Sequence, residues 1–533
     1  MINFGKIGKY MIALAVSAML IFSISATQRK LDTMIRQHDL FFTGQINNAP
    51  PLVAFTTMAL GSFRGLVADL LWLRATGLQE DKNYFEMVQL ASWITKLQPR
   101  FAGATAYLAW NMAYNISVTC SLWQDRWYWV WEGIKLIRDE ALLYNPGAAR
   151  LYWELAVIFQ QKLGNVLDNA SYYYKARLAT EMEAILTLDP DWELWSRMPR
   201  DVDGFMKLYP ESDPVWSAAR KAGFPGFSSL QEEFRRTSLL PAKFVDALGN
   251  AEKARNIDAA LRTIWLYDKY RLRADYIHQL NQEYGSMDWR LAEAQAIYWA
   301  SEGIRITGHD TQCSRLISTS LQEMMRAGRV LWTNQDGYRY LIMAPNLDLV
   351  MAAIRTYDWA YDKSNKLESF RTGKINFMKN ACVLLFYFGR FDDTKKVYEL
   401  LKKDDNTVKY PPFAKFLERE LKELISTATF KQITDIINAF IQNALNAAVN
   451  DDEEKVLMYE LMSKKVYADY QKDIRTEKER GRRGLAPYNE IRDQVVKDYL
   501  ANANPRAAAI IRAKLKSQQI VRDIEAEKEQ KNK

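Results

Sequence analysis

A phrase that ends in proline occurs three times in the first part of this chain, and it constrains the fold more than any other feature. In each copy an apolar helix end is followed by a polar residue and then by proline, at 94–99, 141–146 and 185–190. Proline ends a helix because it lacks the amide hydrogen and clashes with the preceding turn. The closing prolines lie 47 and then 44 residues apart. Self-similarity of this kind predicts a chain built from stacked helical units.

Each unit is predicted to be a pair of helices that meet at a small residue. In the first two units a large apolar residue is followed by a small one and, three residues later, by a second large one. The residues are Tyr107, Leu108, Ala109 and Met112 in the first copy and Tyr152, Leu155, Ala156 and Phe159 in the second. Because the distance between packed helices depends on the side chains at the contact, the small residue marks a close crossing.

The second copy resembles a tetratricopeptide repeat, which is a helix–turn–helix unit. The likeness rests on Tyr152, Leu155, Ala156 and Phe159 in that order, on Leu163-Gly164-Asn165 at the inter-helix turn, and on Pro190 at the end. A tetratricopeptide unit has about 34 residues, so the longer spacing here departs from the family and implies a second helix extended by about three turns. The resemblance implies an all-α solenoid of helix–turn–helix repeats.

Two segments also resemble a bacterial group of membrane-anchored, tetratricopeptide-like proteins of unassigned role. These segments are Leu66–Ala75 and Thr95–Phe101. In that group an N-terminal anchor precedes the first motif, and an apolar N-terminal segment precedes it here. The resemblance covers residues 1–190, and it implies a fold and membrane attachment rather than a reaction.

The N-terminal segment from Tyr10 to Ala26 contains seventeen residues without a charge. A spanning helix needs about 17–25 apolar residues, so a transmembrane helix and a cleaved signal peptide with small residues at Ser23 and Ser25 both fit. We favour the uncleaved anchor, because the apolar run continues almost to its polar flank. Lys6 and the nearby amine favour a cytoplasmic N-terminus, although basic residues after the segment favour the reverse. We therefore expect a single-pass protein of the bacterial inner membrane with its bulk in the periplasm.

The composition along the chain predicts five segments. Residues 190–241 contain six of the fifteen prolines, and such a stretch interrupts helices repeatedly. The expected segments are a membrane anchor at 1–30, tetratricopeptide-like repeats at 31–190, an irregular Pro/Gly-rich joint at 191–241, a second helical array at 242–450, and charged helices with a tail at 451–533.

Charge and residue usage argue against several functional classes. The net charge of +8 is small and spread along the chain, whereas nucleic-acid-binding proteins concentrate basic residues on one element. Three cysteines and three histidines, far apart in sequence, form no metal-ligand motif. The chain also carries no HExxH, P-loop, GxSxG or GxGxxG motif. We therefore expect no nucleic-acid partner, no catalytic residues, no metal, no cofactor and no enzymatic activity.

An aromatic cluster formed by Trp123, Trp127, Trp129 and Trp131 is the candidate partner-binding site. At helical spacing Trp127 and Trp131 share one face, while Trp129 points away from it. One interpretation is burial of both faces inside a thick superhelix. The other is a binding surface for a peptide or a glycan, since tryptophan is a frequent anchor of binding hot spots. Sequence does not decide between them.

Stacked helix pairs offer a long concave surface, and a membrane anchor would hold that surface at the bilayer. The sequence thus favours a scaffold that binds other proteins in the assembly of a bacterial cell-envelope complex. The alternative is an aromatic-lined module that binds a glycan or a nutrient.

Overall fold

The computed structural model describes residues 16–20, 22–27, 29–30, 33–34, 63–81, 83–97, 102–165, 168–335, 338–405, 408–427, 430–473 and 484–516. Helices account for 79% of the structure, which confirms the predicted all-α class. The chain divides into two units, one comprising Met1–Phe101 with Leu143–Pro146 and the other Ala102–Leu142 with Gly147–Lys533.

The first unit contains a pair of packed helices, α1 (Phe63–Glu80) and α2 (Tyr84–Leu97). Arg74 of α1 forms an ion pair with Glu86 of α2. Leu66, Leu70 and Leu73 recur at helical spacing along α1 and are exposed.

The predicted anchor at 10–26 is described only in part. Residues 16–20 and 22–27 are helical, whereas residues 10–15 and residue 21 lie outside the described residues. Among the helices that the structure does describe, none is both long enough and apolar enough to cross a bilayer.

Four helices follow between Ala102 and Ile185, and three of them contain a π-helical segment. Their parts are α3 (Ala102–Trp110, π-helix Asn111–Ile116 and turn Ser117–Thr119), α4 (Trp123–Lys135, π-helix Leu136–Ala141 and turn Leu142–Tyr144), α5 (Ala149–Val157 and π-helix Ile158–Leu163) and α6 (Ser171–Ile185). Pro146 and Pro190 follow the ends of α4 and α6, where the sequence predicted helix ends. A β-carbon added at Gly133 of α4 would lie 2.7 Å from the Ala109 carbonyl oxygen of α3, so these two helices cross closely at Ala109.

The segment predicted as an irregular joint contains short helices with a core of their own. The helices here and just after it are α7 (Trp192–Ser196), α8 (Val202–Leu208), α9 (Pro214–Lys221), α10 (Phe227–Thr237), α11 (Ala242–Leu248), α12 (Ala251–Tyr270) and α13 (Ala274–Tyr284). Aspartates at 191, 201 and 213 cap α7, α8 and α9 by accepting backbone N–H bonds. Phe205, Trp216, Phe234, Phe244 and Ile257 form part of one buried cluster.

The remaining elements of the described residues are helices, one β-hairpin and one 3₁₀ turn. They are α14 (Ala292–Thr307), α15 (Thr311–Ala327), β1 (Arg329–Gln335), β2 (Tyr338–Ala344), a 3₁₀ turn (Leu347–Leu349), α16 (Val350–Lys363), α17 (Glu368–Tyr387), α18 (Phe391–Asp404), α19 (Phe413–Thr427), α20 (Phe430–Val449), α21 (Glu453–Asp473), α22 (Tyr488–Asn502) and helical residues 505–516. The hairpin is antiparallel, with Leu331 opposite Ile342.

Helices α14 to α18 pack in chain order, each against the next. Helix α5 also packs directly against α14. The helices on either side of residues 186–291 are therefore neighbours in space, and this contact builds the candidate site.

Candidate functional site: a cavity between α5, α14 and α15

A cavity of about 690 Å³ lies where α5, α14 and α15 meet. Most of its lining residues are polar or charged, and the rest provide apolar walls. The lining comprises Trp153, Val157, Gln160, Gln161, Gly164, Asn165, Lys175, Glu293, Gln312, Arg315, Leu316, Thr319, Glu323, Ala327 and Met343. A cavity of this size with a few converging polar groups is the usual form of a binding site.

The π-helical end of α5 shapes one wall of this cavity. π-Helical turns are rare and are frequent at functional sites, and this one presents Gln160 and Gln161 to the cavity. Gly164 follows at the end of the turn. A β-carbon there would lie 2.7 Å from Oε1 of Glu293 and 2.7 Å from the Gln160 carbonyl oxygen. A larger residue at 164 would force a shift, because the Gln160 carbonyl is backbone, and it would also displace the Glu293 carboxylate.

Glu293 lies in the first turn of α14 and is 8% exposed. Burial raises the pKa of its carboxyl to about 7. Its own backbone amide and the charge of Lys175 lower that pKa, and the charge of Glu323 raises it. Among the described residues no cation forms an ion pair with Glu293. This buried carboxyl without an ion-pair partner is the most perturbed group in the cavity, and perturbed groups in clefts are candidates for functional sites.

Amide side chains line the same cavity. The Gln160 amide nitrogen donates to Oγ1 of Thr319 at 2.7 Å and to Oγ of Ser320 at 2.9 Å, which ties α5 to α15. Gln161, Gln312 and Asn165 contribute further amides. Each amide carries both a donor and an acceptor, the same pair of groups that an extended peptide presents at every residue.

A buried ionic network supports the loop that follows the π-turn. Asp168 accepts hydrogen bonds from Lys162 Nζ at 2.5 Å, the Ala170 amide at 2.8 Å and the Tyr174 hydroxyl at 3.2 Å. Arg126 Nη1 lies 3.2 Å from Oδ1, the carboxylate oxygen that also accepts from the Ala170 amide. Burial acts to raise the pKa of Asp168, but the Lys162 and Ala170 hydrogen bonds outweigh it and hold that pKa below its usual range. The network fixes the wall that carries Gly164.

The four tryptophans singled out in the sequence lie on α4, away from the cavity lining. Trp127 and Trp129 are buried, Trp131 is half-buried and Trp123 is 51% exposed. The Trp127 and Trp131 rings stack with centroids 5.4 Å apart, and this confirms that they share a face. Trp129, predicted to point away from that face, is buried as well.

Replacing Glu293 with glutamine is expected to stabilise the protein at pH 8 by on the order of 3 kcal/mol. The folded-state pKa of about 7 lies above the unfolded value of about 4.3, so the folded state binds its proton more tightly. Stability is therefore lost as the pH rises from about 4 to about 7, and glutamine removes that loss. Thermal unfolding at pH 5 and pH 8 measures it, and the gain should be smaller at pH 5.

The matched control is Glu323→Gln, which changes an exposed carboxylate of the same cavity, paired with Arg326. It should leave the melting temperature nearly unchanged at both pH values. An equal response of the two variants would contradict the assignment of the pH dependence to Glu293.

Comparison of the chain with protein-family models and with curated proteins finds no match.

Proposed function

We propose that this chain is a membrane-anchored, tetratricopeptide-like scaffold that binds protein partners in the assembly of a bacterial cell-envelope complex. Residues 10–26 would hold it in the inner membrane as a single-pass protein with its bulk in the periplasm. Successive helix pairs would stack as repeats of a solenoid, and an extended segment of a partner would lie in the cavity between α5, α14 and α15.

The observation that carries this proposal is the amide lining of that cavity. Gln160 is held in place by Thr319 and Ser320, so its position is fixed before any ligand arrives. Pre-organised groups bind with less loss of conformational entropy. The Gln160 side-chain carbonyl oxygen would accept from a peptide N–H, and the Gln161 amide would offer a donor and an acceptor to groups that would otherwise lose their hydrogen bonds to water.

The packing of the helices supports the repeat architecture. Helices α14 to α18 pack in chain order, and α5 packs on α14. The run from α14 to α18 matches the stacking of a solenoid, whose inner surface is a usual binding site for proteins, whereas the α5–α14 contact joins helices distant in sequence.

The alternative function, an aromatic-lined module for a glycan or a nutrient, is less favoured by the same geometry. It would need tryptophan rings open to a sugar, whereas Trp127 and Trp129 are buried. Only Trp123 of the four is largely exposed. We therefore do not adopt it.

Photo-crosslinking on membranes of the source cells tests the proposal. p-Benzoylphenylalanine replaces Gln161, an exposed residue of the cavity, and the membranes are washed with carbonate before illumination. We expect the full-length chain to remain in the washed membranes and to crosslink to one continuous segment of a second protein, identified by mass spectrometry.

The matched control carries the same crosslinker at Lys207, an exposed residue of α8 outside the cavity. That position should not capture the same segment. Release of the chain by carbonate would contradict the anchor, and equal capture from both positions, or no polypeptide captured from Gln161, would contradict the binding role.

A further inference from the structure

The Glu293 carboxyl is nearly buried and faces this cavity, and none of the described residues forms an ion pair with it. Burial of a carboxylate is costly unless it is paired or hydrogen-bonded. Glu293 lies in the first turn of α14, where the partial positive charge of the helix end favours an anion but is worth only about 0.3–1 kcal/mol. The helix end alone does not offset the cost of burial.

The charged groups that face Glu293 come from two helices packed around it. Lys175 of α6 and Glu323 of α15 act on it in opposite directions. Arg315 of α15 also lines the cavity, but its guanidinium is held by Ser369 at 3.2 Å and lies over the Phe370 ring. Arg315 is therefore directed toward α17, and it does not neutralise Glu293.

Apolar side chains line part of the same cavity. Trp153 and Val157 contribute from α5, Leu316 from α15 and Met343 from β2. Long basic side chains bury an aliphatic stem along apolar surface while their charged end meets a polar group. A cavity with apolar walls and one unpaired acid has the features that such a side chain needs.

We propose that Glu293 binds the positively charged side chain of a basic residue, arginine or lysine, in the partner segment that occupies this cavity. The inference rests on the proposed function, because it specifies which type of residue in the bound partner segment the cavity recognises. The bound cation would form the ion pair that Glu293 lacks among the described residues, and the exposed Gln161 amide would bind a neighbouring peptide group.

Binding of a cation then depends on the protonation of Glu293. Only the ionised carboxyl pairs with a cation, and its pKa of about 7 places the change near neutral pH. As the pH falls below 7, affinity for a basic residue should fall by up to about tenfold per unit, because one proton is displaced on binding. Neutral residues should show no such dependence.

Isothermal titration of the full chain in detergent tests this with five blocked heptapeptides that differ only in the central residue. The central residue is arginine, lysine, citrulline, norleucine or glutamate, and three alanines lie on each side of it. At pH 8 the arginine and lysine peptides should bind at least about tenfold more tightly than the citrulline and norleucine peptides, a difference typical of one charge pair. At a pH of about 5.5, which lies below the pKa of the carboxyl, this advantage should disappear.

The variant Glu293→Gln should lose the preference for arginine and lysine, and Glu211→Gln, which changes an exposed acid outside the cavity, should keep it. Equal affinity for all five peptides would overturn the basic-residue inference and leave the peptide-binding role standing. Preference for glutamate, no binding of any peptide, or an unchanged preference in Glu293→Gln would also overturn it. The photo-crosslinking experiment at Gln161 tests the peptide-binding role separately.

Discussion

Replacing Trp129 with alanine is expected to lower the free energy of unfolding by roughly 3–5 kcal/mol, the usual cost of removing a large buried aromatic side chain. Trp129 is 4% exposed, so its removal leaves a cavity between α4 and the helices around it. Protein interiors are close-packed and relax only partly around such a cavity. Urea unfolding followed by far-ultraviolet circular dichroism measures the change as a shift of the midpoint.

Trp123→Ala is the matched control, because it removes the same side chain from the same helix. Trp123 is 51% exposed and has one ring neighbour, Tyr173, at 6.1 Å. Its replacement should cost about 1 kcal/mol or less, as for other surface substitutions. A Trp129→Ala variant as stable as Trp123→Ala would show that the Trp129 ring is not part of the core.

The faces of α4 show what helical spacing can and cannot predict. Spacing placed Trp127 and Trp131 on one face, and their stacked rings confirm it. It left open whether the face of Trp129 is buried or forms a binding surface, and in the structure Trp129 is buried. Trp131 packs edge-on against Tyr270 of α12, and α12 is more than a hundred residues further along the chain. A contact at that separation leaves no periodic signal in the local sequence.

Helix ends were predictable where local chemistry determines them, as at Pro146 and Pro190. The β-hairpin was not predicted, although its sequence carries a signal. The sequence Asp-Gly at 336–337, which lies outside the described residues, is a dipeptide that two-residue hairpin turns favour, and β-branched and aromatic residues lie on both sides of it. Because predicted helices lie on both sides of this segment, all of residues 242–450 were predicted to form a helical array.

Glu293 was missed as a site residue because its burial depends on packing between α5 and α14. In sequence it is one acid at the start of a helix, where acids are common. In the structure its carboxylate lies against Gly164, and this contact distinguishes it from a solvent-exposed acid. The one available signal is local: small and large apolar residues follow Glu293 along α14, so that part of this helix is buried on all sides.

Replacing Asp168 with asparagine is expected to lower the free energy of unfolding by roughly 3–5 kcal/mol, because it leaves the buried Lys162 cation without its counter-charge. The Lys162 side chain is 4% exposed, so water has little access to it, whereas the Arg126 side chain is 14% exposed and loses less. The control is Asp203→Asn, which changes an exposed acid of α8 and should alter stability by about 0.5 kcal/mol or less. Urea unfolding of both variants provides the measurement.

The pH dependence of this loss separates a charge effect from a packing effect. The pKa of Asp168 is lowered in the folded state, so its contribution is present above the unfolded value of about 3.9 and is lost as the pH falls through the folded value. Burial lowers the pKa of Lys162, and losing Asp168 should lower it further. The variant should then regain stability in alkali, where Lys162 becomes neutral. We therefore expect the difference between native and Asp168→Asn protein to be largest near neutral pH and to shrink in both directions. A difference that stays constant with pH would show that Asp168 acts through packing rather than through its charge.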